Sequence, residues 1–285
     1  MLKALENELK KNLFLPFFVL GVIGVLLLGM CGFVCYDSSG REIYFFSIML
    51  MKNKEEFIKE NMITIYSLVN SFTGIWFMTF LPALLVIPFV IIMIEEKEKG
   101  NLTFLMIREN DSVYCLSKLL SLMIYGGLVC GSAFSIFLVF VLPLKKYCYI
   151  TPEIEKMFLA YKNAEQLYAY VIIDLFLIVL LGMFSVLPGY FAGIFFKDKH
   201  MLICIPVLIR YAISQTFTLL LVNKSIAKDY AKYEKIKKYD IENLLYYPGS
   251  VKWLFTLAFM SVLCFAVFVL FVIVVKKRKF RGVYG

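Results

Sequence analysis

One histidine, two tryptophans and charge on only 18% of the residues mark out what this chain lacks. A lone histidine, His200, excludes zinc sites built on two histidines, and intramembrane metalloprotease chemistry with them. No Gly-x-x-x-x-Gly-Lys-Ser/Thr run occurs, so the chain has no P-loop with which to hold ATP. No nucleophile stands in a recognisable constellation with a base, and catalysis is not expected. The seven cysteines are scattered, mostly within apolar runs. Cys31 and Cys35 lie one helical turn apart, but no second pair at ligand spacing accompanies them, so neither a disulfide framework nor a metal site is expected. The net charge of +9 comes without any groove-reading motif, which argues against nucleic acid. Its cations flank the apolar runs. The tail Lys276, Lys277, Arg278, Lys279 and Arg281 suits the anionic headgroups of a lipid bilayer.

Hydrophobicity is what the chain has in excess: 61% of its 285 residues are hydrophobic and 17% aromatic, with a mean hydropathy of +0.80. Soluble domains sit nearer half apolar and a quarter charged. Six long apolar stretches occupy residues 13–36, 73–94, 119–142, 167–196, 201–222 and 253–275. Each reaches the roughly 20 residues that a helix needs to cross a bilayer. In lipid the backbone must satisfy its own hydrogen bonds, so such runs read as spanning helices. The expectation is an all-α, polytopic membrane protein with six transmembrane helices, residues 1–285 forming a single membrane domain. The first run is too long for a signal-peptide core and no small-residue cleavage site follows it, so it is expected to stay as the first span.

An even number of spans puts both termini on one side. Lys and Arg fill nearly one in three positions of the segments 1–12, 96–118, 197–200 and 276–285, against about one in six of the remaining connections, a density that places both termini in the cytoplasm. Trp76 and Trp253 then stand at outer span ends, in the aromatic belt. Leu2, Leu5, Leu9 and Leu13 are spaced as one face of a helix with Glu6, Glu8, Lys10 and Lys11 on the others. That pattern fits an N-terminal interfacial helix with its leucines in the acyl layer, or else a first helix that simply projects further. On the outer side, Thr151, Pro152 and Glu153 read as a helix start, with Ile154, Met157, Phe158 and Tyr161 as its apolar face. Ile226, Tyr230, Tyr233 and Ile236 repeat the pattern among lysines. Both are expected to be short amphipathic extracellular helices, shaping an exit or capping the bundle.

Some residues break the apolar runs. Pro188 and Gly189 are expected to kink the long fourth stretch, as a hinge or as a static bend. Pro82, Pro88 and Pro206 raise the same question. Asp174 and Arg210 are charges within apolar runs, costly unless functional or paired. Counted at 1.5 Å per residue, Asp174 falls near the outer headgroups and Arg210 near mid-bilayer, facing a polar cavity, a partner or backbone carbonyls. A direct pair between them is not expected.

The segment after the second stretch reads Glu95, Glu96, Lys97, Glu98, Lys99, Gly100, Asn101, Leu102, Thr103, Phe104, Leu105, Met106, Ile107, Arg108. Gly100 and Asn101 can end one helix and cap the next, and Leu102, Leu105 and Met106 then line one apolar face. Such a helix can lie along the inner surface, or dock in a partner's groove. This stretch resembles the coupling segment of type-2 ABC exporter permeases, in which an acidic-basic run ending in Gly-Thr-Leu follows the second span and a lysine, here Lys118, opens the third. Asn101 replaces the usual threonine. The six-span layout, the N-terminal helix, the charged turn between the fourth and fifth stretches and residues 243–247 are similar as well. The resemblance implies a transport subunit in a bacterial cell membrane that binds no cofactor itself. Two separate ABC ATPase subunits would carry ATP and magnesium, and a second permease, identical or related, would complete the path. Residues Glu96, Glu98, Gly100, Asn101, Leu102, Phe104, Leu105 and Arg108 would transmit the ATPase stroke, and Arg210, Pro188 and Gly189 would serve the path or its hinge. An ion-driven secondary transporter or channel is the alternative reading, and a sensor or immunity subunit a third.

Overall fold

A computed structural model describes residues 2–37, 39–98, 111–161, 165–195 and 198–222, with part of 261–274. The described part is predominantly helical. In chain order it comprises α1 (Leu2–Asn12), α2 (Leu15–Met30), strands β1 (Phe33–Tyr36) and β2 (Glu42–Tyr44), α3 (Phe45–Leu50), α4 (Lys54–Glu60), α5 (Ile65–Asn70) and α6 (Ile75–Glu98). There follow α7 (Asp111–Val141), a 3-10 turn Leu142–Tyr147, α8 (Pro152–Tyr161), α9 (Leu167–Ser185), α10 (Leu187–Phe195) and α11 (Lys199–Val222). Three helical stretches are long and apolar enough to cross a membrane: Ile75–Ile92, Val113–Tyr147 and Leu167–Tyr190. The bent pair α1–α2, turning by 60°, makes a fourth if counted as one broken span. Of the sixth apolar stretch, Phe268, Val272 and Val274 pack on the core.

α7 lies between α2 and α9, and α6 between α2 and α11. In a bilayer, helix association rests on close packing, and small residues allow it. Gly126 on α7 and Gly182 on α9 supply one such close crossing. A Cβ added to either would stand 2.5 Å from the carbonyl oxygen of the other. Hydroxyls on the long helices bond the carbonyl four residues back, as Thr79 does to Ile75, Ser135 to Gly131 and Thr216 to Ala212, which removes the need for water.

The first stretch departs from the expected span 13–36. Its helix ends at Met30, and residues 33–36 leave it to form an antiparallel hairpin with 42–44. Gly32 is the reason: a Cβ there would overlap the Ser71 carbonyl oxygen, so the chain turns where two backbones touch. Residues 37–72 were expected only as a polar outer connection. They fold as a cap in which Phe45, Ile48, Ile58, Leu68 and Phe72 are fully buried. Phe72 centres an aromatic cluster, its ring 4.9 Å from Phe77, 5.1 Å from Phe134 and 5.0 Å from Phe137. Edge and tilted arrangements at this spacing add to plain burial.

α8 forms where expected, with the Ile154 N–H donating to the Thr151 hydroxyl oxygen as its cap. The inward face is corrected. It is Ile154, Glu155, Phe158 and Leu159 that turn inward, while Met157 is exposed. Phe158 stacks on Tyr66 at 5.1 Å and Leu159 packs on the core, contacts that suit this rotation of the helix.

The break expected around Pro188 and Gly189 falls just before them. The helix breaks at Val186, and Leu167–Tyr190 still reads as one span. A proline removes the hydrogen bond to the residue four earlier and crowds the turn before it, so the interruption falls on its N-terminal side. Pro188 itself sits in the first turn of α10, where its missing N–H is tolerated. Pro82 and Pro88 lie within an uninterrupted α6, and Pro206 within α11.

Candidate functional site

The described helices converge at the bundle end opposite the cap, where α6 finishes and α7 begins. α7 has 31 residues, about 46 Å of helix against the ~30 Å of a hydrocarbon core. Its surplus first turns, rich in Tyr114, Ser117 and Lys118, have polar work to do. α1 docks on them.

The docking face of α1 is not the leucine face. Ala4, Glu8 and Asn12 are the buried positions, at i, i+4 and i+8, while Leu5 and Leu9 are half-buried. Glu8, expected on an outward face, is thus turned inward. Its carboxylate accepts from Lys11 Nζ at 2.8 Å and lies 3.7 Å from Lys118 Nζ. Lys118 also stands over the Tyr114 ring, 5.0 Å from its centre. One turn on, the Asn12 amide donates to the Ser121 hydroxyl at 2.8 Å, and that hydroxyl donates to the Lys118 carbonyl at 3.0 Å. Buried charge is tolerated only when paired and hydrogen-bonded, which these contacts supply. On the far side of α7, the Tyr190 hydroxyl donates to the Cys115 carbonyl at 2.8 Å. Tyr190 packs in turn on Phe89 of α6 at 5.9 Å. Four helices, α1, α6, α7 and α10, are therefore bound into one joint. These buried polar contacts hold the four helices in register at this end.

The residues singled out from sequence distribute unevenly. Glu96 and Glu98 belong to the last turn of α6, and their side chains lie outside the described residues. Gly100, Asn101, Leu102, Phe104, Leu105 and Arg108 also lie outside them. Gly189 is at the joint: a Cβ there would overlap the Val86 side chain of α6, so the glycine lets α10 and α6 touch. Arg210 is half-buried midway along α11. Asp174, expected among headgroups, is fully buried within the protein on α9. Four residues before it, Tyr170 donates to Asn70 of the cap at 2.9 Å, so the carboxylate lies one turn below the cap. Packing, rather than depth alone, removed it from the lipid.

At the cap end Tyr66 meets Glu155, its hydroxyl donating to the carboxylate at 3.3 Å. Burial first, and the Glu155 charge second, push its phenol up to about 12. Among the described residues no group of three His, Cys, Asp or Glu converges as metal ligands would.

Sequence reading missed the Glu8–Lys118 contact. The signal was there as Glu8 and Asn12, one helical turn apart, but a polar pair on a short helix reads as a solvated face until a partner with buried cations is known. No protein-family profile, curated protein or solved structure matches this chain.

Proposed function

We propose that this chain is the transmembrane subunit of an ATP-driven exporter of the type-2 ABC kind, with six spans, both termini cytoplasmic, and no nucleotide site of its own. Two ATPase subunits supply the stroke, and a second permease copy or relative completes the translocation path. The observation that carries the reading is positional. The stretch from Glu96 to Arg108, whose sequence resembles a coupling segment, links α6 to α7 at the bundle end where α1 is locked onto α7. A push on that stretch has rigid helices to act on, through Lys118 into α1 and through Tyr190 into α10. Transport then needs only that the bundle possess two packings. The test is co-purification with an ATPase and measurement of coupled turnover in Phe104→Asp and Leu105→Asp chains that still insert. Turnover and transport are expected to fall together; intact ATP-coupled transport in both variants would refute the coupling role.

Asp174 favours one other reading. A fully buried carboxylate on a membrane-length helix is the sort of group that ion-driven transporters use. Gradient-driven flux in vesicles lacking any ATPase, abolished by Asp174→Asn, would replace the exporter reading with this one.

A further inference from the structure

α2 has 16 residues, about 24 Å of helix, and so falls some 6 Å short of a ~30 Å hydrocarbon core. Its outward stripe is Leu20, Ile23 and Leu27, all exposed. Beyond Met30 the surface does not turn polar. β1 presents Phe33 and Tyr36 outward with their rings 4.9 Å apart, and α3 presents Phe46 and Leu50 outward. The intervening Val34, Phe45 and Ile48 are buried in the cap. The charged and polar side chains Asp37, Ser39, Arg41 and Glu42 gather at the turn of the hairpin.

The height of this surface is fixed by two backbone contacts. The Phe45 N–H donates to the Gly32 carbonyl at 3.0 Å. A Cβ on Gly74 would stand 3.0 Å from Gly32 Cα and 3.6 Å from Phe33 N. Phe33 and Phe46 thus lie level with Ile75 and Trp76, which open α6 and are exposed, Ile75 to 84%. Tryptophan at a span end marks the membrane–water boundary. An apolar strip that continues the exposed apolar stripe of a short helix, level with such a tryptophan and edged by charge, has the make-up of an interfacial anchor.

We propose that β1 and α3 are embedded in the headgroup–acyl boundary of one leaflet through Phe33, Tyr36, Phe46 and Leu50, completing on that side the crossing that α2 is too short to make. The occupant of this surface is phospholipid. The anchor presupposes that α2 and α6 cross a bilayer, and does not depend on coupling to an ATPase.

The experiment uses the full chain with Trp76→Phe and Trp253→Phe, carrying one new tryptophan at Phe46, Arg41 or Ile87. Each is reconstituted into phosphatidylcholine vesicles with and without dibrominated acyl chains, and fluorescence is read with acrylamide as the aqueous quencher. Brominated lipid is expected to quench F46W and I87W by about twofold or more and R41W little, since bromine quenches only what lies in the acyl region. Quenching of F46W no stronger than that of R41W overturns the anchor. In that event acrylamide sensitivity assigns the surface to water, and insensitivity to both quenchers assigns it to a protein neighbour. An unquenched I87W would overturn the membrane placement of α6 and the anchor with it, leaving the two failures distinguishable.

Discussion

Removing the carboxylate of Glu8 tests whether α1 is part of the fold or an accessory. Lys118 Nζ is 3.7 Å from that carboxylate, an attraction of about 4 kcal/mol at an effective dielectric near 20. The two cations that share Glu8 differ in what they do when it is lost. The Lys11 side chain is 39% exposed and can turn to water; that of Lys118 is 3% exposed and cannot. Breaking a buried pair from one side costs about 3–5 kcal/mol, chiefly because the remaining buried charge loses its counter-charge. Glu8→Gln is therefore expected to destabilise by about 3 kcal/mol. Lys118→Met leaves Glu8 with Lys11 and is expected to cost less, about 1–2 kcal/mol. The double variant removes both charges of the pair and is expected to recover at least about 1 kcal/mol relative to the sum of the singles. The assay is thermal unfolding in nanodiscs followed by near-ultraviolet circular dichroism. A loss of about 2–4 °C per kcal/mol places Glu8→Gln roughly 6–12 °C below the parent. Strict additivity of the two substitutions would show that Glu8 and Lys118 are neighbours without being partners, and the joint would lose its centre.

Two further outcomes follow from packing and charge. Gly182→Val forces a side chain against the Gly126 carbonyl and Cys130, and is expected to cost more than about 3 kcal/mol. Gly24→Ala meets the end of the Leu84 side chain, its nearest methyl at 2.5 Å, which a rotamer change can relieve, and is expected to cost less, about 1 kcal/mol; equal melting points for the two variants would refute the close crossing of α7 and α9. Tyr66 has its phenol raised from the ordinary 10 to about 12, so its neutral form stabilises the fold below pH 10, and that contribution is lost as pH rises to 12. Absorbance titration at alkaline pH is expected to lose one late-ionising tyrosine in Tyr66→Phe, and an unchanged late amplitude would argue against the contact with Glu155.

Much of the helical framework was legible because its cause is local. Apolar runs of sufficient length at 75–92, 113–147 and 167–190 favour helices, since a helix is the one arrangement that satisfies the backbone within a single segment in lipid. The start of α8 was legible for the same kind of reason, Thr151 and Pro152 being a cap and a first-turn residue in any context. The rotation of α8 was not, because Met157 and Phe158 are equally apolar and only tertiary packing chooses between them.

The sequence alone determined where the chain becomes membrane-like, since composition and the length of apolar runs suffice for that. Tertiary structure decided the end of α2 at Gly32, the folding of residues 37–72 into a cap, the burial of Asp174 and the inward turn of Glu8. Each of these depends on a contact between residues far apart in the chain, such as Gly32 with Ser71 or Glu8 with Lys118. Such a contact leaves no periodic trace in either segment, and so is visible only once the two are brought together.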